Sequence, residues 1–231
     1  MVKSSKRVLD KRMGFKYLLI IDFESTCWEG RVDHLNRWEI IEFPAVLLNM
    51  ETGGIEKEFQ RYVFPTENPK LSAFCTRLTG ITQDQVDNGV PLCTCLMLFT
   101  NWVKEILNEK GLTFPNCNRD NLHGDIALAT WTNWDLGLCL RLECSRKRLK
   151  KPSFCNQWID IKKSFEDYFD YKPTSFQDAL DFLAIEFVGR PHCGLDDSRN
   201  AAKLVAFMHQ YGATFNITSN LLPPGKMNFV F

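Results

Sequence analysis

No stretch of this chain approaches the ~18 consecutive apolar residues that a membrane-spanning helix needs, so no membrane partner is expected. The segment from Met1 to Lys16 is basic and polar and lacks the apolar centre of a secretory signal. An intracellular protein, of the cytoplasm or the nucleus, is the expectation. No Cys-x-x-Cys pair occurs, the nine cysteines are odd in number, and the four histidines are too few and scattered for a zinc finger. Free thiols in a reducing compartment follow. Charge of one sign is not in excess either: 28 basic residues face 28 acidic ones, which excludes a histone-like binder that works by bulk attraction. There is no internal repeat, low-complexity stretch or long linker, and 231 residues suit one domain with one core.

What basic charge there is lies in two clusters. Lys3, Lys6, Arg7, Lys11, Arg12 and Lys16 stud a leader of residues 1–15, either a flexible arm touching nucleic acid or a plain disordered lead-in. Arg146, Lys147, Arg148, Lys150 and Lys151 form the second run, which reads as a solvated helix end or a phosphate-contacting edge.

Hydropathy patterning predicts a mixed α/β chain. Lys16 to Phe23 reads as a buried strand, Glu39 to Leu48 as a second and Ile55 to Phe64 as a third, with turn chemistry at Glu51-Thr-Gly-Gly54, giving an antiparallel meander. Short helical pieces end at Leu78-Thr-Gly-Ile81. A helix over Leu92 to Asn108 stops at Gly111, and Asn116 to Gly124 is a polar loop. Strands at Ile126 to Trp131 and Gln157 to Asp160 then alternate with helices at Trp134 to Leu149, Ile161 to Phe169, Ser175 to Ile185 and Asp196 to Tyr211. A three-stranded meander plus parallel strands, flanked by helices, is the expected architecture. The domain is expected over residues 16–211, with a tail at 212–231.

Three segments place carboxylates where a structural role is hard to find. In Ile20-Ile-Asp-Phe-Glu24, Asp22 and Glu24 are two apart on a strand and share one face at ~6.5–7 Å. Two buried acids there repel unless a cation or protons compensate; a strand end emerging into water is the alternative. Asp135 opens a helix after a strand, in phase with Leu138, Cys139 and Leu142 on the core-facing stripe, although an acid in a first turn is also explained by the helix dipole. Near the C-terminus, Asp197 is in phase with Ala201, Leu204, Val205 and Met208, facing the core. Asp196 is in phase with Asn200 and Lys203, facing solvent. His192 lies in the loop just before. Hard oxygen ligands on separate elements suit Mg²⁺ or Mn²⁺ rather than zinc. Imidazole, which ordinarily titrates near neutrality, can take a proton from attacking water.

The segments in their order, Asp-x-Glu, then a middle Asp, then His-x4-Asp, resemble the exonuclease motifs of the DEDD superfamily in its histidine-bearing DEDDh branch. More narrowly, Ile-Asp-Phe-Glu-Ser-Thr-Cys-Trp28, Glu-Ile-Ile-Glu-Phe-Pro44, Leu-Thr-Gly-Ile81, Trp-Asp-Leu136 and Gly-Leu-Asp-Asp-Ser-Arg-Asn200 are similar to the Eri1-like 3′ exoribonucleases. The resemblance, over about Lys16 to Tyr211, implies an RNase H-like fold and a metal-dependent 3′-to-5′ exonuclease acting on RNA, and on DNA as an open alternative. It implies two Mg²⁺, with Mn²⁺ as a substitute, held by Asp22, Glu24, Asp135 and Asp197, and His192 as general base beside Glu24. It also implies that the terminal nucleotide meets backbone around Phe23, Ser25 and Thr26 and contacts Leu78 and Thr79. Trp28 and Trp131 are candidate stacking surfaces, with core packing favoured for Trp131. A DNA-directed exonuclease of the same branch and a catalytically silent nucleic-acid-binding scaffold remain as rival readings. Protein partners are not legible.

Overall fold

In the computed structural model, residues 14–30, 37–115 and 124–221 are described. The basic leader up to residue 13, all but the end of the polar loop at 116–124, and residues 222–231 of the tail lie outside them. Strands β1 (Tyr17–Ile20), β2 (Glu24–Ser25), β3 (Ile40–Asn49), β4 (Ile55–Tyr62), β5 (Ile126–Thr130), β6 (Gln157–Asp160) and β7 (Ser219–Asn220) form one mixed sheet. β3 is antiparallel to β1, β2 and β4, which is the expected meander. β1, β5 and β6 run parallel, as the alternation of strands with helices predicts.

β1 alternates between two cores because successive strand residues point to opposite faces. Leu19 and Ile21 pack with Phe43, Phe99 and Val103 under helix α3 (Leu92–Lys110). Leu18 and Ile20 pack with Phe165, Leu180 and Leu204 under helices α5 (Ile161–Phe169), α6 (Phe176–Phe182) and α7 (Gly194–Gln210). Two short helices, α1 (Ala73–Thr79) and α2 (Gln83–Asp87), precede α3 and close over a small third cluster around Ile41 and Cys75. Gly80 ends α1 and Gly111 ends α3, both with positive φ as helix-terminating glycines have.

Packing does not stop at residue 211. Ala213 and Phe215 are buried in the second core, and β7 adds an antiparallel edge to β6, so residues 212–221 belong to the domain. The eight described cysteines are free thiols, and no described helix is long and apolar enough to cross a membrane.

The sheet is interrupted where the chemistry is expected. The β1–β3 ladder pairs Ile20 with Val46, and Glu24 pairs with Glu42 in the same register. That register sets Asp22 opposite Pro44, which has no N–H to give a ladder. β1 therefore breaks between Ile20 and Glu24, and Asp22 is released from pairing at the end of a central strand.

Candidate active site

The segment after β5 does not begin as the expected α-helix. Trp134–Cys139 is a turn of π-helix, continued by α4 (Leu140–Arg146). With bonds five residues apart, as from Leu140 N–H to the Asp135 carbonyl, the buried side runs through Asp135, Leu136, Cys139 and Leu140. Leu138, placed on the core stripe by α-helical phase, is 41% exposed. Asp135 is still buried, and Oδ1 accepts the Phe23 N–H at 2.8 Å. That N–H is a donor left over by the break in β1, so the middle acid holds the irregular strand in place.

Helix α7 begins at Gly194 with no side-chain cap of its own. A buried acid from β3 takes that place. Glu42 Oε2 accepts the Gly194 N–H at 3.0 Å and Oε1 the Leu195 N–H at 3.3 Å, where the helix dipole favours negative charge. Gly194 is bare of necessity. A Cβ there would sit 2.4 Å from the Asp22 carbonyl oxygen and 2.9 Å from Pro44 Cγ. Gly194→Ala is therefore expected to push the helix start off the strand. Overpacking of this kind costs ~1–3 kcal/mol, and a shift of ~1 Å between Asp22 and Asp197 costs ~10²-fold in turnover. Melting curves and steady-state rates check both, and wild-type kinetics would show that the site tolerates the shift.

The contact of α7 with the broken strand brings the four acids together. Asp197 shares the buried side of α7 with Ala201, Leu204, Val205 and Met208, as its phase predicts. Glu24, His192 and Asp197 each offer a ligand atom within 4.8 Å of the others. Burial first, then the charges of Asp135, Asp197, Glu24 and Glu42, raise the Asp22 carboxyl well above its ordinary value. Glu24 is pushed up to about 9 by burial and then by Asp197, Glu42 and Asp135. Burial takes Asp135 and Asp197 to about 7. No Lys or Arg is among the described residues lining the cleft over this cluster. Buried carboxylates without a counter-charge are a donor set suited to hard divalent cations.

This has a measurable consequence for the metal-free protein. The folded-state values lie above the ~4 of free carboxyls, so the stability these groups contribute is complete below that value and lost as pH rises through about 7 to about 9. Mg²⁺ competes with those protons, so it should raise Tm more at pH 8.5 than at pH 5.5. An equal rise at both values would mean that the cluster is not where the ion binds.

The cleft has a volume of about 410 Å³. Asp22, Phe23, Glu24, Ser25, Leu78, His192 and Asp197 all line it. Thr26 and Thr79 do not. Thr26 Oγ1 accepts the Glu39 N–H, and Thr79 Oγ1 donates to the Cys75 carbonyl while accepting the Ile81 N–H. Both hydroxyls are buried and occupied. Trp28 is half-buried and not a cleft residue, whereas Trp131, expected in the core, lines the cleft with its ring 5.1 Å from Phe176. Trp134, Phe176 and Phe187 complete that aromatic wall. Their spacing held no signal, since each sits in a loop or first turn whose direction depends on the packing of α6 and α7.

Two expectations for charged and polar residues need correction. The basic run is neither a free helix end nor a phosphate edge throughout. Lys147 bonds Glu39 and Glu143, both buried, at 2.6 Å each, and Arg146 pairs with Glu67. The Lys151 ammonium donates to the Cys155 carbonyl, which leaves Arg148 and Lys150 as the exposed members. Asn200, placed on the solvent side of α7, is buried, and the backbone of Val188 meets it. Its amide donates to the Val188 carbonyl and accepts the Val188 N–H. Asp196 is likewise held, by the Arg190 N–H and by Arg199.

The exonuclease family profile matches residues 19–205, from β1 to the middle of α7. The chain belongs to the exonuclease family. Among its relatives, the 3′-5′ exonuclease Snipper of Drosophila melanogaster is 44% identical over 98% of this chain and 82% of its own length. ERI1 exoribonuclease 2 of Homo sapiens is 48% identical over 93% of this chain, which spans only 32% of that protein. The nuclease domain of 3′hExo, a DEDDh family member solved with bound rAMP, superposes with a TM-score of 0.78 at 39% identity, over 90% of this chain and 98% of that one. This exonuclease is thus Eri1-like, of the DEDDh branch, with an RNase H-like fold and 3′-to-5′ phosphodiester hydrolysis as its activity. The family is divalent-metal dependent.

Proposed function

We propose that this exonuclease removes 5′-mononucleotides from the 3′ ends of RNA by a two-metal mechanism. Asp22, Glu24, Asp135 and Asp197 hold the ions, Mg²⁺ with Mn²⁺ as a substitute, and His192 is the general base. The observation that carries the reading is the convergence of Glu24, His192 and Asp197 within 4.8 Å in the lining of an aromatic-walled cleft. Bound there, the ions supply charge stabilisation for the attacking and leaving oxygens. Asp22, whose carboxyl feels the charges of Asp135, Asp197 and Glu24, would serve both ions, and Asp135 would help to hold the second. His192 stands at the cleft edge, exposed, where it takes the proton of the attacking water and hands it to solvent. Phe23, Ser25 and Leu78 form the wall against the terminal nucleotide. Thr26 and Thr79, outside the cleft and with their hydroxyls occupied, support this wall from behind. Trp131 and Phe176 offer faces for a base. A cleft this size suits a single terminal nucleotide, in keeping with action at a free end.

RNA is favoured over DNA because relatives at 40–50% identity carry exoribonuclease names, and 3′hExo was solved with a ribonucleotide. The test is release of labelled mononucleotide from matched RNA and DNA in Mg²⁺, Ca²⁺ or EDTA. RNA should be degraded in Mg²⁺, poorly in Ca²⁺, whose preferred ligand shell is larger and longer, and not in EDTA. Undiminished turnover in EDTA would end the two-metal reading, and faster turnover of DNA would transfer it to the DNA-directed alternative.

A further inference from the structure

Two glycine-containing loops meet through one arginine. Residues 190–193 make a tight turn, with the Cys193 N–H donating to the Arg190 carbonyl at 3.1 Å. Pro191 takes its second position and His192 its third, at φ +62°. This is the pattern of a type II turn, whose third position normally needs glycine. A histidine held there depends on its surroundings to stay, and the turn is gripped from two sides.

On the α7 side, the Arg190 N–H donates to Asp196 Oδ2 at 3.0 Å, and Asp196 is itself held by Arg199, which forks onto Glu58. The Asp197 N–H donates to the Cys193 carbonyl at 2.8 Å, and a ring nitrogen of His192 lies within 4.8 Å of the Asp197 carboxylate. On the other side, Arg190 Nη2 donates to the Arg77 carbonyl at 2.9 Å and lies 3.5 Å from that of Leu78. Those carbonyls belong to the last turn of α1, where no intrahelical donor remains. Both approaches require bare backbone. A Cβ on Gly80 would lie 1.0 Å from Arg190 Nη1, and one on Gly189 would lie 2.4 Å from Asp196 Oδ2. The arginine is not a cleft residue, although its neighbours Pro191 and His192 are.

We infer that Arg190 is a positioning residue for the reaction: it clamps the His192 turn to the end of α1, so that the imidazole and the Leu78 wall keep one spacing across the cleft. The inference rests on the reading of His192 as the base. Arg190 acts through His192 and touches no substrate, because its guanidinium is directed at helix carbonyls.

The test is a double-mutant cycle on the full chain with labelled RNA at saturating Mg²⁺. Arg190→Ala should lower kcat by ~10–10²-fold, the scale of a misplaced catalytic group, with KM for RNA and the Mg²⁺-induced rise in Tm unchanged. Arg190→Lys, able to reach one carbonyl, should recover part of the loss. In a His192→Gln background, Arg190→Ala should cost nothing further in kcat, since there is no base left to misplace. A raised KM with unchanged kcat would make Arg190 a phosphate contact, and a penalty that persists in the His192→Gln background would make it independent of His192; either overturns the inference. If His192→Gln alone keeps wild-type turnover, the reading of the base fails instead, and the first arm of the cycle shows which has failed.

Discussion

Asp197→Asn is expected to reduce kcat by ~10³-fold or more, with the fold intact. The substitution removes one charge from the proposed ligand cluster, whose members Asp22 and Glu24 are raised by burial and by the neighbouring carboxylates. Loss of several kcal/mol of charge stabilisation corresponds to that factor. Metal-free Asp197→Asn should also be no less stable than the wild type at pH 8.5, because one of the mutually repelling carboxylates is gone. Its neighbour behaves differently. Asp196→Asn keeps one acceptor for the Arg190 N–H and weakens the bond to Arg199, at ~1 kcal/mol. Rates and melting curves of the two variants, side by side, decide the matter. An active Asp197→Asn would remove that residue from the ligand set.

His192→Gln carries the second large effect. Glutamine retains hydrogen-bonding groups but cannot accept a proton near neutral pH, so kcat should fall by ~10²–10⁴-fold, the usual contribution of general base catalysis. The Mg²⁺-induced rise in Tm should persist. The pH–rate profile separates the base from the ligands. Protonation of the carboxylates competes with Mg²⁺, so an acidic limb from that source moves with metal concentration. The loss in His192→Gln, by contrast, should persist at every Mg²⁺ concentration, because proton transfer and not metal binding is removed. Wild-type turnover would leave His192 as a loop tether only.

How much of this was legible depended on the range of the contact. Asp22, Glu24 and Asp197 stood out because a strand period of two and a helix period of 3.6 mark the facing side within a few residues. The middle acid was placed correctly by a phase that does not hold. Asp135 is buried, but through a π-turn that carries Cys139 and Leu140 inward and leaves Leu138 outside. Glu42 sat in a quoted motif without a role, since its partners, Gly194 and Leu195, are more than 150 residues away. A buried acid within the apolar run of β3 was the available signal. The basic run at 146–151 looked uniform as a string, yet Lys147 bonds two buried carboxylates while Lys150 is exposed.

By itself, the sequence determined the α/β class through its hydropathy pattern. It also put Asp22, Glu24 and Asp197 on the facing side of their elements, because charge placement on a face is a local property. Hydrolysis and the metal followed from the resemblance of its motifs. Tertiary structure decided how the site is built. Pro44 across the sheet frees Asp22, Asp135 takes the Phe23 N–H from 112 residues away, and Glu42 seats the helix that delivers Asp197. It decided too that Trp131 faces the cleft and that Thr26 and Thr79 do not. A side chain's periodicity says which way it points, and only the packing of distant elements says what it meets there.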